Sequence, residues 1–567
     1  MTLRRFIEAD FPIRAVSEHS AREKNIRHGH ISTLHIWWAR RPLAASRASL
    51  YAALIPEPAD EEARLKKAQF IEQLCQWENS LNSRVIEKAR REILEANGGE
   101  PPRVLDCFAG GGAIPLEALR LGCETHALDL NPVAVLILKA TLEYPQKHGR
   151  ISESANQRTG DTLPGLEEGR SPLVDDVRRW GQWVLEEARK ELAEFYPPDP
   201  LPTPAASGGI LSPLPTVGRG EGPIPVGYLW ARTVHCQNPD CGAEIPLMRQ
   251  FWLAKKPKKR VALYPIVNRE QKRVDFAVVR LERGEWRRED GDSLSTLQSP
   301  ISNFQPEQGT VRKAKVTCPV CGAGMDDRTL RREFRQGRTG ERMVAVVLRT
   351  PSGSFPRGRG RAGVGGKTYR VATEADVEVF RRAEAALQSI LESRSHVSGG
   401  GGSMASAVQN ISPVPDEPTP AGGGSGAARA FSVQKYGLMS WGDLFNPRQK
   451  LALITFVDKV RRAHEEMLDA GYDPEYAKAV ATYLALVVSR MADFESTICR
   501  WHPQWEFIPN TFARQALPMT WDYAELVPLS SILTGTFESM FGQILDVLAH
   551  LTRIPPVEEN GEARGDK

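Results

Sequence analysis

The sequence predicts an α/β protein in three kinds of region: a partial nucleotide-type parallel sheet, helical stretches on either side of it, and an inserted β-rich module carrying spaced cysteines. Three observations predict this. A strand, a glycine turn, a helix and a second strand follow one another between Arg103 and Leu130. Apolar residues recur at helical spacing before that unit, from Asp60 to Asn97, and again from Pro447 to Arg500. Two close cysteine pairs bracket a stretch of β-type runs.

The chain has 567 residues, 41% hydrophobic and 25% charged, which is enough for several folded domains. Its 74 lysines and arginines against 70 acids leave a net charge of only +4, so any argument for a polyanionic partner must rest on local clusters. There is no run of eighteen apolar residues, and the opening MTLRRFIEADFPIRAV has acids and a proline where a secretory leader needs an apolar core. A cytoplasmic protein with no membrane partner is expected.

In chain order, residues 1–98 read as helical. Pro42 to Arg47 opens one helix, and Asn97-Gly98-Gly99 stops the last. Residues 99–196 carry the α/β unit, and 197–227 are a Pro- and Gly-rich linker or insertion. Residues 228–350 hold the β-rich cysteine module, with strands expected in RVALYPIV and RVDFAVVRL. A loop and helix at 351–396, with a helix start at Thr373-x-x-Asp376, precede a flexible linker at 397–430. Residues 431–552 read as helical, and 553–567 as a disordered tail.

The sharpest local signal is Val104-Leu105-Asp106-Cys107-Phe108-Ala109-Gly110-Gly111-Gly112, which ends a strand and opens a helix. Glycines let the backbone approach a ligand, and the helix start offers free N–H donors. Pro115 stands where the dinucleotide fingerprint needs its third glycine, which argues against hydride transfer. Asp129 ends the next strand, 19 residues after Gly110, where a carboxylate can accept both hydroxyls of an adenosine ribose.

Cys236-x4-Cys241 and Cys318-x2-Cys321 offer two turns, each aiming two thiolates inward, the four-sulfur set that structural zinc prefers. The alternative is reduced cysteines in β-turns. A catalytic zinc fails on chain order, because His464-Glu465-Glu466 follows the cysteines instead of preceding them. Between the pairs, Lys255, Lys256, Lys258, Lys259 and Arg260 lie beside Phe251 and Trp252, either to follow a nucleic-acid backbone or as a solvated hairpin tip. Near the start, Arg22, Lys24, Arg27, Arg40, Arg41 and Arg47 face one acid, Glu23, with Trp37 and Trp38 interleaved. Three readings stay open for this segment: contact with DNA phosphates, a lid over the cofactor, or core tryptophans with snorkelling arginines.

Asp106-x-Phe108-Ala109-Gly110-x-Gly112 followed by Asp129 resembles motif I and its acidic partner in S-adenosylmethionine-dependent methyltransferases. Four further segments are similar to the DUF1156 family: REKNIRHGHISTLHIWWARRPLAASRA, GYLWARTV, KYGLMSWGDLFNPRQ and FARQALPMTWDYAE. Its members are described as adenine-specific DNA methylases containing a zinc ribbon. The resemblance implies a partial Rossmann-like methyltransferase sheet. It implies S-adenosylmethionine held through Asp106, Phe108, Gly110, Gly112 and Asp129, and structural Zn2+ held through the four cysteines. It also implies a double-stranded DNA partner, for which the basic clusters offer Arg40, Arg41, Lys255, Lys256, Lys258, Lys259 and Arg260, and a restriction-modification or phage-defence setting.

Amino-group methylases carry an [Asp/Asn/Ser]-Pro-Pro-aromatic motif that binds the target amine and stacks on a flipped base. Pro101-Pro102, Pro197-Pro198 and Pro555-Pro556 all lack these flanks, and Asp129-Leu130-Asn131-Pro132 belongs to the cofactor strand. No catalytic residue is therefore assigned. The expectation is an incomplete or split DNA adenine N6-methyltransferase completed by a separate chain. Its rival is a non-catalytic zinc-ribbon DNA-binding protein with a vestigial sheet.

Overall fold

The computed structural model describes residues 4–149, 171–198, 223–288, 304–349, 366–395, 412–423 and 429–555, with 558–559 and 562–563 as a short antiparallel pair. Most of the two expected linkers, 197–227 and 397–430, and most of the tail fall outside the described residues. The chain forms two compact units of mixed helix and sheet, each assembled from separated segments. One is Met1–Val184 with Lys459–Ser489 and Met540–Lys567; the other is Leu185–Asp458 with Arg490–Ser539. Among the described residues, no helix is long and apolar enough to cross a membrane.

In the first unit the helices Ile13–Glu23, Leu43–Leu54, Glu61–Cys75 and Ser83–Ala96 surround a core of Phe6, Tyr51, Ile71, Leu74, Ile86 and Ile93. The periodic stretch from Asp60 breaks into two helices with a 3-10 turn at Trp77–Leu81 between them. Asp60 starts the first by accepting the Ala63 N–H at 2.7 Å. Gly98 and Gly99, both in the left-handed region, end the second, and the Gly99 N–H donates to the Leu94 carbonyl at 2.8 Å.

The strand Arg103–Asp106 pairs in parallel with Glu124–Ala127, Arg103 opposite Glu124 and Asp106 opposite Ala127, and the helix Ala113–Arg120 crosses between them. Both strands are shorter than the sequence predicts, because the backbone turns away at Cys107 and Leu128 into the loops that follow them. Ala118, Leu121 and Cys123 join the helical core. On the other side Leu105, Leu128 and Val133 are exposed, Phe108 is 86% exposed and Leu130 is 98% exposed. Parallel strands normally have both faces covered, and among the described residues this pair has no third strand.

The second unit is built on an antiparallel sheet ordered Lys367–Val371, Thr339–Arg349, Ile224–His235 and Asp522–Leu526, with Glu244–Leu247 also on Ile224–His235. Ile224–His235 is buried on both faces between its ends, which is why GYLWARTV reads as a nearly unbroken apolar run. Gly227 meets the Glu525 backbone so closely that a Cβ would lie 3.0 Å from its carbonyl oxygen. A separate four-stranded meander, Trp252–Lys256, Lys259–Asn268, Arg273–Glu282 and Glu285–Arg288, includes both expected hairpin strands. The stretch read as helical, 431–552, does hold the helices Pro447–Asp469, Pro474–Ala492 and Phe537–Leu551. It also holds the strand Asp522–Leu526, and this is a correction: its alternation is too short to stand out among helices, and its pairing partner lies some 290 residues away.

Segments quoted for their family likeness meet inside this unit. Asn446 and Gln449 cap the helix Pro447–Asp469 reciprocally: the Gln449 N–H donates to the Asn446 side chain at 2.8 Å and the Asn446 N–H to Gln449 at 3.0 Å. Arg448, 1% exposed, donates from Nε to Glu525 at 2.6 Å. Glu525 also accepts from Trp230 Nε1 at 2.7 Å and Asn446 Nδ2 at 3.1 Å. Beside them Glu495 is fully buried, and neither of its oxygens has a hydrogen-bond partner among the described residues. Burial, reinforced by the Glu525 charge and only partly offset by Arg448, pushes its carboxyl well above the usual range.

Such a group is neutral in the folded chain at pH values where the unfolded chain ionises it. Its contribution to stability is complete below the unfolded pKa of about 4.3 and is lost as pH rises toward the folded value. Glu495→Gln copies the neutral acid without titrating. The melting temperature of the variant should gain on wild type between pH 5 and pH 8, and a gain in the opposite direction would show that Glu495 is ionised and paired.

Candidate functional site

Cys236, Cys241, Cys318 and Cys321 come together in the second unit, with all four sulfurs within 4.8 Å of one another. Cys236 lies 3.6 Å from Cys321 and Cys241 lies 3.8 Å from Cys318, sulfur to sulfur. Tetrahedral ligation at about 2.3 Å per Zn–S bond separates sulfurs by about 3.8 Å, so the set could hold a metal ion such as zinc. The two turns are alike. Cys236 N–H donates to Ala243 O and Cys318 N–H to Ala323 O, and each turn closes through a left-handed glycine, Gly242 or Gly322. Val234, Ile245, Val311, Val316, Met325 and Leu330 pack around them.

Burial pushes the Cys236 thiol up to about 12, while the Ala323 backbone N–H brings Cys321 down to about 7. A divalent ion would relieve the first and use the second. Four protein sulfurs leave no open coordination position, which fits a structural ion and leaves no seat for a substrate.

In the first unit all five residues read as cofactor-binding gather at the carboxyl end of the parallel pair. Gly110 and Gly112 have φ of +51° and +76°, and Gly112 caps the helix Ala113–Arg120. Asp129 sits under the turn: one oxygen accepts the Gly110 N–H at 2.8 Å and the other the Asn131 N–H at 2.8 Å. Each carboxylate oxygen keeps a lone pair for an outside donor. Asp106 accepts the Phe108 N–H at 3.2 Å, and the Phe108 ring is exposed. The helix behind the turn is anchored by Glu117, which is fully buried between Arg47 and Arg120.

Two residues of the basic aromatic segment cover this turn. A Cβ at Gly110 would lie 2.6 Å from the Trp37 indole nitrogen, and one at Gly111 would lie 3.1 Å from Arg40 Nε. Arg40 Nη2 donates to the His35 carbonyl at 2.8 Å, while Arg41 and Trp38 are exposed. Trp37 and Arg40 of this segment therefore lie against the glycine turn. Nothing in the sequence pairs Trp37 with a turn more than seventy residues away; only the co-occurrence of tryptophan, arginine and a glycine triplet hinted at it.

The basic hairpin is less available than its composition suggests. Lys256 and Lys259 both reach the carboxylate of buried Glu506, and Lys255 pairs with Glu307 at 3.0 Å while lying over the Trp252 ring. Lys258 and Arg260 are exposed and face solvent. Any phosphate contact from this hairpin falls first to those two.

Residues 10–78 match the family described as DUF1156, a protein of unknown function. The match supports that family, and it takes in Glu23, Trp37, Arg40, Arg41 and Arg47. No curated protein and no solved structure matches the chain.

Replacing one buried ligand tests the metal centre. Cys318→Ser should leave the purified chain with less than half the zinc of wild type by elemental analysis and lower its melting temperature. Cys75→Ser, at a buried thiol outside the cluster, should leave zinc content unchanged.

Proposed function

We propose that this chain is the cofactor-binding and zinc-bearing part of a DNA adenine N6-methyltransferase. The observation that carries the reading is the convergence of Asp106, Phe108, Gly110, Gly112 and Asp129 at the carboxyl end of a parallel βαβ unit, where α/β sheets bind their ligands. Asp129 would receive the ribose hydroxyls of S-adenosylmethionine, the glycine turn would let the amino-acid part approach the backbone, and Phe108 would lie against the adenine. The bound cofactor supplies an electrophilic methyl group, to which the adenine amino nitrogen is a direct nucleophile.

Placement in line is then most of the catalysis, and the group that polarises the amine comes from elsewhere. The exposed Leu105, Phe108, Leu128 and Leu130 support a partner chain that lays further strands and helices over the open face of the sheet. Of the cations expected to meet duplex DNA, Arg41, Lys258 and Arg260 are exposed, and a modification or defence system is the setting the family likeness suggests.

One observation favours the rival, a non-catalytic zinc-ribbon DNA-binding protein. Asp129 is already satisfied by two backbone N–H groups, so the turn is stable with no ligand present. Calorimetry separates the two. The zinc-loaded wild-type chain should bind one S-adenosylmethionine and Asp129→Ala should not, whereas a folded wild type that takes up none would leave the DNA-binding reading. Leu130→Asp should keep cofactor binding by calorimetry and change stability by less than about 0.5 kcal/mol by thermal unfolding, because its side chain is 98% exposed.

A further inference from the structure

Gly111 raises a question that its neighbours do not. Gly110 and Gly112 have left-handed backbones, which glycine alone adopts without strain, but Gly111 does not. Its constraint comes from outside the turn. A Cβ there would press on Arg40 Nε at 3.1 Å, Trp37 Cδ1 at 3.2 Å and Trp37 Cβ at 3.3 Å. At Gly110 a Cβ would meet the Trp37 indole at 2.6 Å, 3.1 Å and 3.4 Å, through Nε1, Cε2 and Cζ2. The space beside the bare backbone of this turn is therefore filled by the protein's own indole.

The segment that supplies the indole is held at both ends. On one side His30 is buried, its Nε2 bonded to Glu23 at 2.9 Å and its Nδ1 to the Ser32 hydroxyl at 2.8 Å. On the other, Glu23 accepts the backbone N–H groups of Leu43 and Ala44 at 2.8 Å each, which fixes the start of the helix Leu43–Leu54. Between these anchors Trp37 is half-buried and Trp38 and Ala39 are exposed. The His35–Arg41 loop spans the distance between these anchors, with Arg40 Nη2 donating across it to the His35 carbonyl at 2.8 Å.

We propose that Trp37 is a gate on the glycine turn: it occupies the face of Gly110 in the ligand-free protein, and a ligand entering the turn displaces it. Arg40, which moves with it, is the cation that the ligand's carboxylate meets. The proposal rests on the cofactor reading of this turn and adds its regulation, because whatever holds Trp37 down keeps the turn closed and whatever draws it away opens the turn.

If the indole is seated in about nine molecules in ten, apparent affinity is lowered about tenfold, so Trp37→Ala should tighten binding by up to that factor and speed association. Calorimetry and stopped-flow fluorescence with S-adenosylmethionine on the full zinc-loaded chain read both. Weaker binding by Trp37→Ala would make Trp37 a platform that stacks on the ligand, and equal binding would remove it from the site; either overturns the gate. A companion measurement needs no ligand. Gly110→Ala puts a methyl group where the indole sits, so trypsin should cut after Arg40 several-fold faster while cutting at its other sites is unchanged, with the melting temperature lowered only by the strain of alanine in a left-handed backbone, and unchanged cutting after Arg40 would overturn the seated position. Failure of the cofactor reading looks different: neither wild type nor Trp37→Ala binds, although Gly110→Ala still frees the loop. That result removes the gate along with the cofactor.

Discussion

Glu117 is the residue on which the arrangement of the first unit turns. It is fully buried on the helix Ala113–Arg120, whose first turn is the glycine loop. It accepts from Arg47 Nε and, at 3.1 and 3.3 Å, from Arg120 Nε. Burial alone would raise this carboxyl, but Arg120 and Arg47 outweigh it and hold it below the usual carboxylate range. The arginines are themselves satisfied, Arg47 by the Leu74 carbonyl at 2.7 Å and Arg120 by the Ser80 carbonyl at 2.6 Å. A buried triad of this kind costs desolvation and gives orientation in return, since removing any member strands a charge in the core. Arg47 lies within the stretch that matches DUF1156, so this contact ties the matched helices to the glycine turn. Trp37 and Arg40 belong to the same stretch, and they lie against that turn.

The second constraint is the uncovered sheet. Helical packing secures one face of the parallel pair through Ala118, Leu121 and Cys123, while the opposite side presents Leu105, Phe108, Leu128 and Leu130 to water. Isolated apolar residues on a surface need no explanation, but four around the mouth of one βαβ unit form a patch that a partner would cover. The glycine turn and the Asp129 loop lie at the border of that patch. Partner docking and ligand entry would therefore act on neighbouring residues.

Local chemistry made much of this legible from the chain alone. The βαβ unit was readable because strand, glycine turn and helix follow each other without interruption, and the cysteine cluster because each pair sits in a tight turn before a glycine. Thr373 and Asp376 mark a helix start by sequence, and the structure closes that start with Thr373 N–H and Oγ1 both donating to Asp376 at 2.7 Å. What could not be read depends on distant partners. The strand Asp522–Leu526 is five residues whose identity as a strand comes from Ile224–His235. Lys256 and Lys259 look like free cations until Glu506 is brought beneath them. The Arg448–Glu525 pair joins two segments that each read as ordinary helix or loop.

The central claim is that the turn beneath Trp37 is a cofactor site, and hydrogen–deuterium exchange of the zinc-loaded chain with and without S-adenosylmethionine tests it residue by residue. The account predicts slower exchange on adding the cofactor at Phe108–Gly112 and Asp129–Asn131, with faster exchange in the His35–Arg41 loop as the indole leaves. Unchanged exchange across all three segments at saturating cofactor would contradict it.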